Sequence, residues 1–272
     1  MRPILRPGTH VLSRAAGEVQ IGLEPRHALV LPDSEPVRRT LRLLSKPAER
    51  TAYGAEDTLT LDLLARQGLV VDQASVGDAA GPRSESQAFR TQVLGYGHPL
   101  GLPLVRELIS LLRRARLYDT AKGDPGPPDA GVLAGVGEPD RELVDAWTRN
   151  GTPYVLVRLT EGRAVVGPFV VPGRTACLRC IDAHFTDADR AWPLLVRQYA
   201  AAAAQDRADG AAEPVDPLLG TVALGWAARD LATYVEGRRP STWSTTVTLH
   251  PDLCEIETRS WLRHPGCACT WE

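Results

Sequence analysis

"GVLAGVGEPDRELVDAWTRNGTPYVLVRL" (residues 131–159) decides the fold class. "GVLAGV" (131–136) is small and aliphatic throughout, the composition of a buried strand. "PDRELVDAWTRNG" (139–151) then mixes charged and apolar residues at helical spacing, and "PYVLVRL" (153–159) is a second aliphatic run. Strand–helix–strand repetition predicts a parallel sheet with helices on its faces.

The same pattern extends outward from this stretch. Upstream, "TQVLGYG" (91–97) reads as a buried strand running into a glycine turn. Residues 102–116 follow as an amphipathic helix, with Val105, Leu108, Ile109 and Leu112 on one side and Arg106, Glu107, Arg113 and Arg114 on the other. "ARLYD" (115–119) is a further strand candidate before the turn-rich "GDPGPPDAG". Downstream, residues 217–236 form a helix on Leu219, Ala223, Ala227, Leu231 and Val235. The low-complexity run over 200–213 is expected to be mobile in part, and residues 244–261 to close the domain as an antiparallel hairpin.

Residues 1–72 have a different character. "THVLSR" (9–14), "EVQIGL" (18–23) and "HALVLP" (27–32) are short extended runs, the pattern of an antiparallel meander. Asp33-Ser34 caps a helix that has Pro36 in its first turn and Val37, Leu41 and Leu44 on one face. A second helix over 56–67 carries Leu59, Leu63 and Leu64 and ends at Gly68. Residues 73–90 are small, polar and aperiodic, which makes them the linker between two domains, 1–72 and 91–272.

Bulk properties narrow the function. The chain has 272 residues, 43% of them apolar, enough for two packed domains. A formal net charge of −2 argues against an electrostatic nucleic-acid binder. Lys46 and Lys122 are the only lysines, so a phosphate-holding lysine has almost no candidates. No secretory segment or membrane span is visible, and a cytoplasmic location without membrane partners is expected.

In that reducing setting, closely spaced cysteines favour a metal or catalysis over disulfides. Cys177-x-x-Cys180 and Cys267-x-Cys269 are two chelating pairs, and four thiolates suit a tetrahedral zinc. A thioredoxin-like redox role for Cys177 and Cys180 leaves the second pair unexplained, and four buried free thiols are the plain alternative. A closed tetrathiolate has no open position for water, so one structural zinc per chain is the expectation. His264 is a reserve ligand, and Cys254 reads as a small buried apolar residue.

Other constellations are weaker. Gly95, Gly97 and Gly101 are spaced GxGxxxG, one residue too long for the dinucleotide fingerprint, and Pro99 removes a donor from the loop. A simple strand-to-helix turn is the preferred reading of all three. Asp140, Glu142 and Asp145 share one helix as solvated faces do, and His98 reads as a turn residue. No catalytic residue is assigned.

The stretch from "GVLAGV" through "VGPFVVPGRTACLRC" to the terminal "HPGCACTWE" resembles the ThiF/MoeB superfamily of adenylating proteins. More narrowly, it resembles the ThiF-like partners of azoline-forming peptide cyclodehydratases. "LRPGTHVLSRAAGEVQIGLEPRHALVLPD" (5–33) with its two helices resembles the PqqD-like RiPP recognition element, a winged-helix module. The resemblance implies a winged-helix module followed by a reduced, Rossmann-type α/β domain with a zinc tetrathiolate. Active members hold ATP through an intact glycine loop, basic phosphate contacts and a magnesium aspartate. Here Gly95, Gly97 and Gly101 are a stretched vestige of that loop, Lys122 stands alone, and Glu138 or Asp140 substitutes only loosely for the aspartate.

The function this implies is a non-catalytic adaptor. A precursor's leader peptide would add as a strand near residues 26–32, with His27, Leu29, Leu31, Leu59 and Leu63 as contacts. The second domain would dock a YcaO-type ATP-dependent cyclodehydratase, and a homodimer is expected. ATP is not expected as a cofactor. An active adenylyltransferase with an atypical pocket is the main alternative. A winged-helix DNA-binding regulator using Arg38, Arg39 and Arg42 is the other.

Overall fold

A computed structural model of the chain describes residues 2–14, 17–45, 53–74, 89–117, 128–205 and 215–270. The chain divides into two compact units, residues 1–87 and 88–272.

In the first unit, strands β2 (Val11–Arg14), β3 (Glu18–Ile21) and β4 (Leu29–Pro32) form an antiparallel meander in the order β2-β3-β4. Alternation puts Val19, Ile21 and Leu31 on the buried face. Helices α1 (Glu35–Ser45) and α2 (Ala55–Arg66) close the core with Leu41, Leu44 and Leu64. A short antiparallel pair, β1 (Pro3–Leu5) with β5 (Val70–Asp72), ties the start of the unit to its end. That pair was not anticipated, since three-residue strands carry too little periodicity to register. Helix α2 is also rotated from expectation. Its inward face is Asp57, Thr60 and Leu64, and Leu59 is 70% exposed. The reason is polar: the Thr40 hydroxyl donates to Asp57 Oδ1 at 2.6 Å, and Asp57 Oδ2 accepts from the Gly54 amide.

The second unit is built on one six-stranded mixed sheet, ordered β11-β10-β9-β8-β7-β6. Strands β6 (Thr91–Gly97), β7 (Ala130–Val136) and β8 (Tyr154–Thr160) run parallel, joined by helices α3 (Leu102–Arg114) and α4 (Arg141–Arg149). Strands β9 (Arg163–Val170), β10 (Thr245–Leu249) and β11 (Ile256–Ser260) continue antiparallel. Strand β7 is buried throughout and β8 almost throughout, as sheets covered on both faces require. One face, with Val132, Ala134, Val155 and Val157, packs on α3 and on α7 (Pro217–Val235). The other, with Leu133 and Leu156, packs on α4 and α5 (Leu178–Ala188). Helix α6 (Trp192–Ala203) follows α5.

Two expectations need correction. Residues 115–117 of "ARLYD" are the turn that ends α3, closed by Arg116 at φ +54, and not a strand. Cys254 is exposed in the β10–β11 turn, because "PDLC" projects past the sheet. The remainder of "ARLYD", Lys46, Lys122, linker residues 75–88 and residues 206–213 of the low-complexity run lie outside the described residues.

Candidate functional site

Cys177 caps the start of α5 and Cys180 lies in its first turn, so both thiols sit at the electropositive end of that helix. Cys267 and Cys269 come from the last described turn of the chain. The Sγ atoms of Cys177, Cys180 and Cys267 lie 3.3 Å (Cys177, Cys180) and 3.3 Å (Cys267) from that of Cys269. From Cys177, the distances to Cys180 and Cys267 are 3.8 and 3.7 Å. A tetrathiolate with Zn–S bonds of about 2.3 Å has S···S edges of about 3.8 Å, so the four sulfurs fit zinc with little adjustment.

The protonation chemistry points the same way. Cys177 and Cys269 donate to Cys180, which lowers its pKa, and the His264 amide adds to that effect. Cys177 is pushed far up, first by its hydrogen bonds to Cys180 and Cys269 and then by burial. Cys269 is pushed up to about 12. Four thiolates together need a cation to compensate their charge. The His264 ring turns elsewhere: Nδ1 accepts from the Gly266 amide and Nε2 meets Asp187 Oδ2 at 2.9 Å.

The glycine turn lies at the carboxyl ends of β6 and β7, the position of ligand crevices in open α/β sheets. Gly97 has φ +76, and a Cβ there would sit 1.9 Å from the Val136 carbonyl oxygen. Gly95 and Gly101 face Val105 and Val136 side chains at 3.0 and 3.3 Å from an added Cβ. Close packing of the turn on β7 and α3 therefore accounts for all three. The residue between the first two matters more. Tyr96 lies across Gly135, where a Cβ would meet Tyr96 Cδ2 at 2.6 Å, and its hydroxyl donates to the Val157 carbonyl at 2.9 Å. One side chain thus bridges β6, β7 and the middle of β8. Burial pushes its hydroxyl pKa well above the ordinary range.

Beside Tyr96 is a buried ionic network. Glu138, just past β7, accepts from Arg158 of β8 at 2.9 Å and from Arg141 of α4 at 2.8 Å. Arg141 makes two further bonds to Asp182 of α5, at 2.8 and 2.9 Å, and Asp182 also accepts from Trp192 Nε1 at 2.9 Å. Arg158, Arg141, Asp182 and Glu138 side chains are only 9, 11, 12 and 13% exposed. The Arg141 charge is reinforced by these partners, which outweigh the burial that opposes it. This network was missed from sequence except for Glu138, although one signal was present: Arg158 is the only charge in an otherwise apolar strand. A charge placed there must have a buried partner.

Tyr96 and the network residues Glu138, Arg141 and Asp182 line a cleft of about 1450 Å³ that runs from Gly97 past α4 and α5 to the cysteine clasp, with Arg149 and Arg197 also on its wall. Asp140 caps α4 by accepting from the Glu142 amide, and Asp145 pairs with Arg179 at 2.7 Å, so both carboxylates serve the framework. In the first unit, Leu31 is buried in the core, Leu29 and Leu63 are half-buried, and His27 and Leu59 are exposed. Arg38 and Arg42 of α1 are ion-paired with Asp33 and Glu35.

These features define an α/β protein with a Rossmann-like mixed sheet and a four-cysteine clasp. No protein-family model matches the sequence, and no curated protein does. Among solved structures, the heterocyclase TruD superimposes with a TM-score of 0.71 at 17% identity, over 99% of this chain and 42% of that one. The chain therefore spans about two fifths of that heterocyclase. E. coli MccB, solved with ATP, gives 0.58 at 12% identity over 99% of both chains. The microcin C7 biosynthetic enzyme MccB, in complex with N-formylated MccA, gives 0.57 at 13% over the full length of both. At these identities the likeness is one of fold. Among the described residues, no helix is long and apolar enough to cross a membrane.

Proposed function

We propose that this chain is a non-catalytic adaptor of ThiF-like descent. It would bind a ribosomal precursor peptide through a PqqD-like first unit and deliver it to a YcaO-type ATP-dependent cyclodehydratase for azoline formation. One structural zinc would hold the clasp formed by Cys177, Cys180, Cys267 and Cys269. The observation that carries this reading is the pairing of the arginines beside the glycine turn with buried carboxylates. At the carboxyl ends of β6 and β7, Arg141 and Arg158 are already engaged by Glu138 and Asp182, and Tyr96 lies across Gly135 to the Val157 carbonyl. Adenylation needs cations aimed at developing phosphate charge. Arg141 and Arg158, neutralised by buried carboxylates, do not provide them.

Strand β4 suits peptide addition, since it is the outer strand of its sheet. Asp33 N donates to Gly17 O, which sets the ladder's alternation and points the Val30 amide and carbonyl outward. Pro32, the next outward residue, has no amide to donate, so Val30 is the main anchor. The exposed Leu59 remains available for an apolar side chain of the peptide.

A fluorescein-labelled leader from a precursor encoded beside this chain's gene tests the reading by anisotropy. Binding is expected, with loss in Val30→Pro, whose missing amide does not face β3. ATP–pyrophosphate exchange should be absent with the same peptide. The open cleft that begins at Gly97 favours a second reading, an adenylyltransferase with an atypical pocket. Robust exchange, abolished by Gly97→Ala in protein that still folds, would replace the adaptor with that enzyme.

A further inference from the structure

The β10–β11 hairpin carries a set of ligating side chains separate from the cysteine clasp. Its strands pair from Thr245↔Ser260 to Leu249↔Ile256, and one step further the His250 amide donates to the Glu255 carbonyl. His250 and Glu255 therefore face each other across the ladder. Glu257, two residues along β11, points to the same side of the sheet. That side is opposite to Val247 and Leu249, whose side chains enter the core. Cross-strand partners and their diagonal neighbours lie close enough for such side chains to meet.

They do meet. One ligating atom from each of His250, Glu255 and Glu257 lies within 4.8 Å of the other two. His250 Nε2 stands 3.4 Å from Glu257 Oε1, yet no hydrogen bond joins them. Nε2 is shut off from solvent and has no hydrogen-bond partner among the described residues. A plain His–Glu ion pair would close to a hydrogen bond, since buried polar atoms are rarely left unpaired. The distance suits another partner. Zinc bonds of about 2.0–2.2 Å to nitrogen and oxygen set tetrahedral ligand edges at about 3.4 Å.

The neighbouring cations are engaged elsewhere. Arg163 of β9 pairs with Glu161 at 2.8 Å, and the Arg259 guanidinium stacks on Trp261, 3.9 Å from the ring centroid. Among the described residues, no arginine or lysine pairs with Glu255 or Glu257. Two carboxylates beside an orphaned imidazole nitrogen are a donor set for a dication, which would also neutralise their charge.

We propose that His250, Glu255 and Glu257 bind a divalent transition-metal ion of zinc's class. The imidazole favours such ions over magnesium and calcium, which prefer oxygen alone. Three protein ligands leave a coordination position open to water, unlike the closed clasp. His250 is half-buried and both glutamates are exposed, so ordering them weakens the site. A Kd on the order of 100 μM is expected, and at about 10 μM metal the site stays mostly empty. The ion would therefore exchange freely and fasten β11 to β10 only when metal is plentiful. The proposal is independent of the adaptor reading and of the ion held by the clasp.

Cobalt(II), which is paramagnetic and shares zinc's ligand preferences, tests this on the tag-free full chain preloaded with one equivalent of zinc. In proton–nitrogen correlation spectra, broadening should centre on the amides of His250, Glu255 and Glu257. Zinc at about equal concentration should reverse it, whereas an about tenfold excess of calcium should not. His250→Ala should raise the Kd about tenfold or more. The double variant E255Q/E257Q should do the same, and because both side chains are exposed, its circular dichroism should stay native. Broadening centred elsewhere or spread evenly over surface carboxylates would overturn the proposal. So would a Kd unchanged by the double variant, or calcium competing as well as zinc.

Discussion

Arg141 and Asp182 form a two-point ion pair between α4 and α5, with Nε–Oδ2 at 2.8 Å and Nη2–Oδ1 at 2.9 Å. The pair links the helix that follows β7 to the helix that begins the cysteine clasp. Burial makes it sensitive to one-sided loss, because the remaining charge stays in a low-dielectric site. Asp182→Ala should therefore cost about 3–5 kcal/mol in urea unfolding followed by tryptophan fluorescence. A change below about 1 kcal/mol would mean the pair is solvated in solution.

The glycines of the turn separate packing from ligand binding. Gly97→Ala must place a left-handed alanine against the Val136 carbonyl, and a loss of about 2–4 kcal/mol is expected from strain and overpacking together. Gly95→Ala meets only the Val105 side chain, which can shift, and should cost under about 1.5 kcal/mol. Thermal denaturation of both variants checks the order. Equal and negligible losses would return these glycines to a ligand-binding role.

The parts of the fold that sequence revealed are those with strong local periodicity. Strands β6, β7 and β8 and helices α3, α4 and α7 all carry an apolar pattern longer than one turn or four residues, while the β10–β11 hairpin showed through its β-branched residues and the intervening turn. Strand β9 was hidden within a segment recognised for its family likeness, because its proline and glycine mask the aliphatic run. The cysteine clasp was legible because chelation constrains local spacing. The ionic network was not, since its members sit at positions 138, 141, 158 and 182 and converge only when the sheet forms. Leu59 misled for a related reason. Helical spacing put it with Leu63 and Leu64, but the buried Asp57–Thr40 bond turns a polar stripe inward.

That bond has a pH signature. Hydrogen bonds from Thr40, and then from the Gly54 amide, outweigh burial and hold the Asp57 carboxyl below its ordinary value of 3.8. A folded pKa below the unfolded one adds stability at neutral pH, which is lost as pH falls through the folded value. Asp57→Ala removes both the helix cap and the partner of Thr40, so a cost of about 1–2 kcal/mol at pH 7 is expected. The difference between variant and parent should shrink below about pH 4 in chemical unfolding, as the parent's carboxyl protonates. A pH-independent difference would assign the effect to packing.

The clasp gives the strongest prediction, because it joins α5 to the end of the described chain. Zinc would replace protons on Cys177 and Cys269, both of whose pKa values lie above the ordinary thiol value. Binding must then release protons, and the apparent affinity must rise with pH. Calorimetric titration of zinc into metal-free protein, in buffers of different ionisation enthalpy, should report that release directly. About one zinc per chain is expected, and Cys177→Ser should abolish it together with the cooperative unfolding of the second unit, since such a site contributes on the order of 10 kcal/mol. Retention of a full zinc equivalent in C177S would place the metal elsewhere. A variant that loses zinc yet keeps its melting temperature would reduce the clasp to four packed thiols.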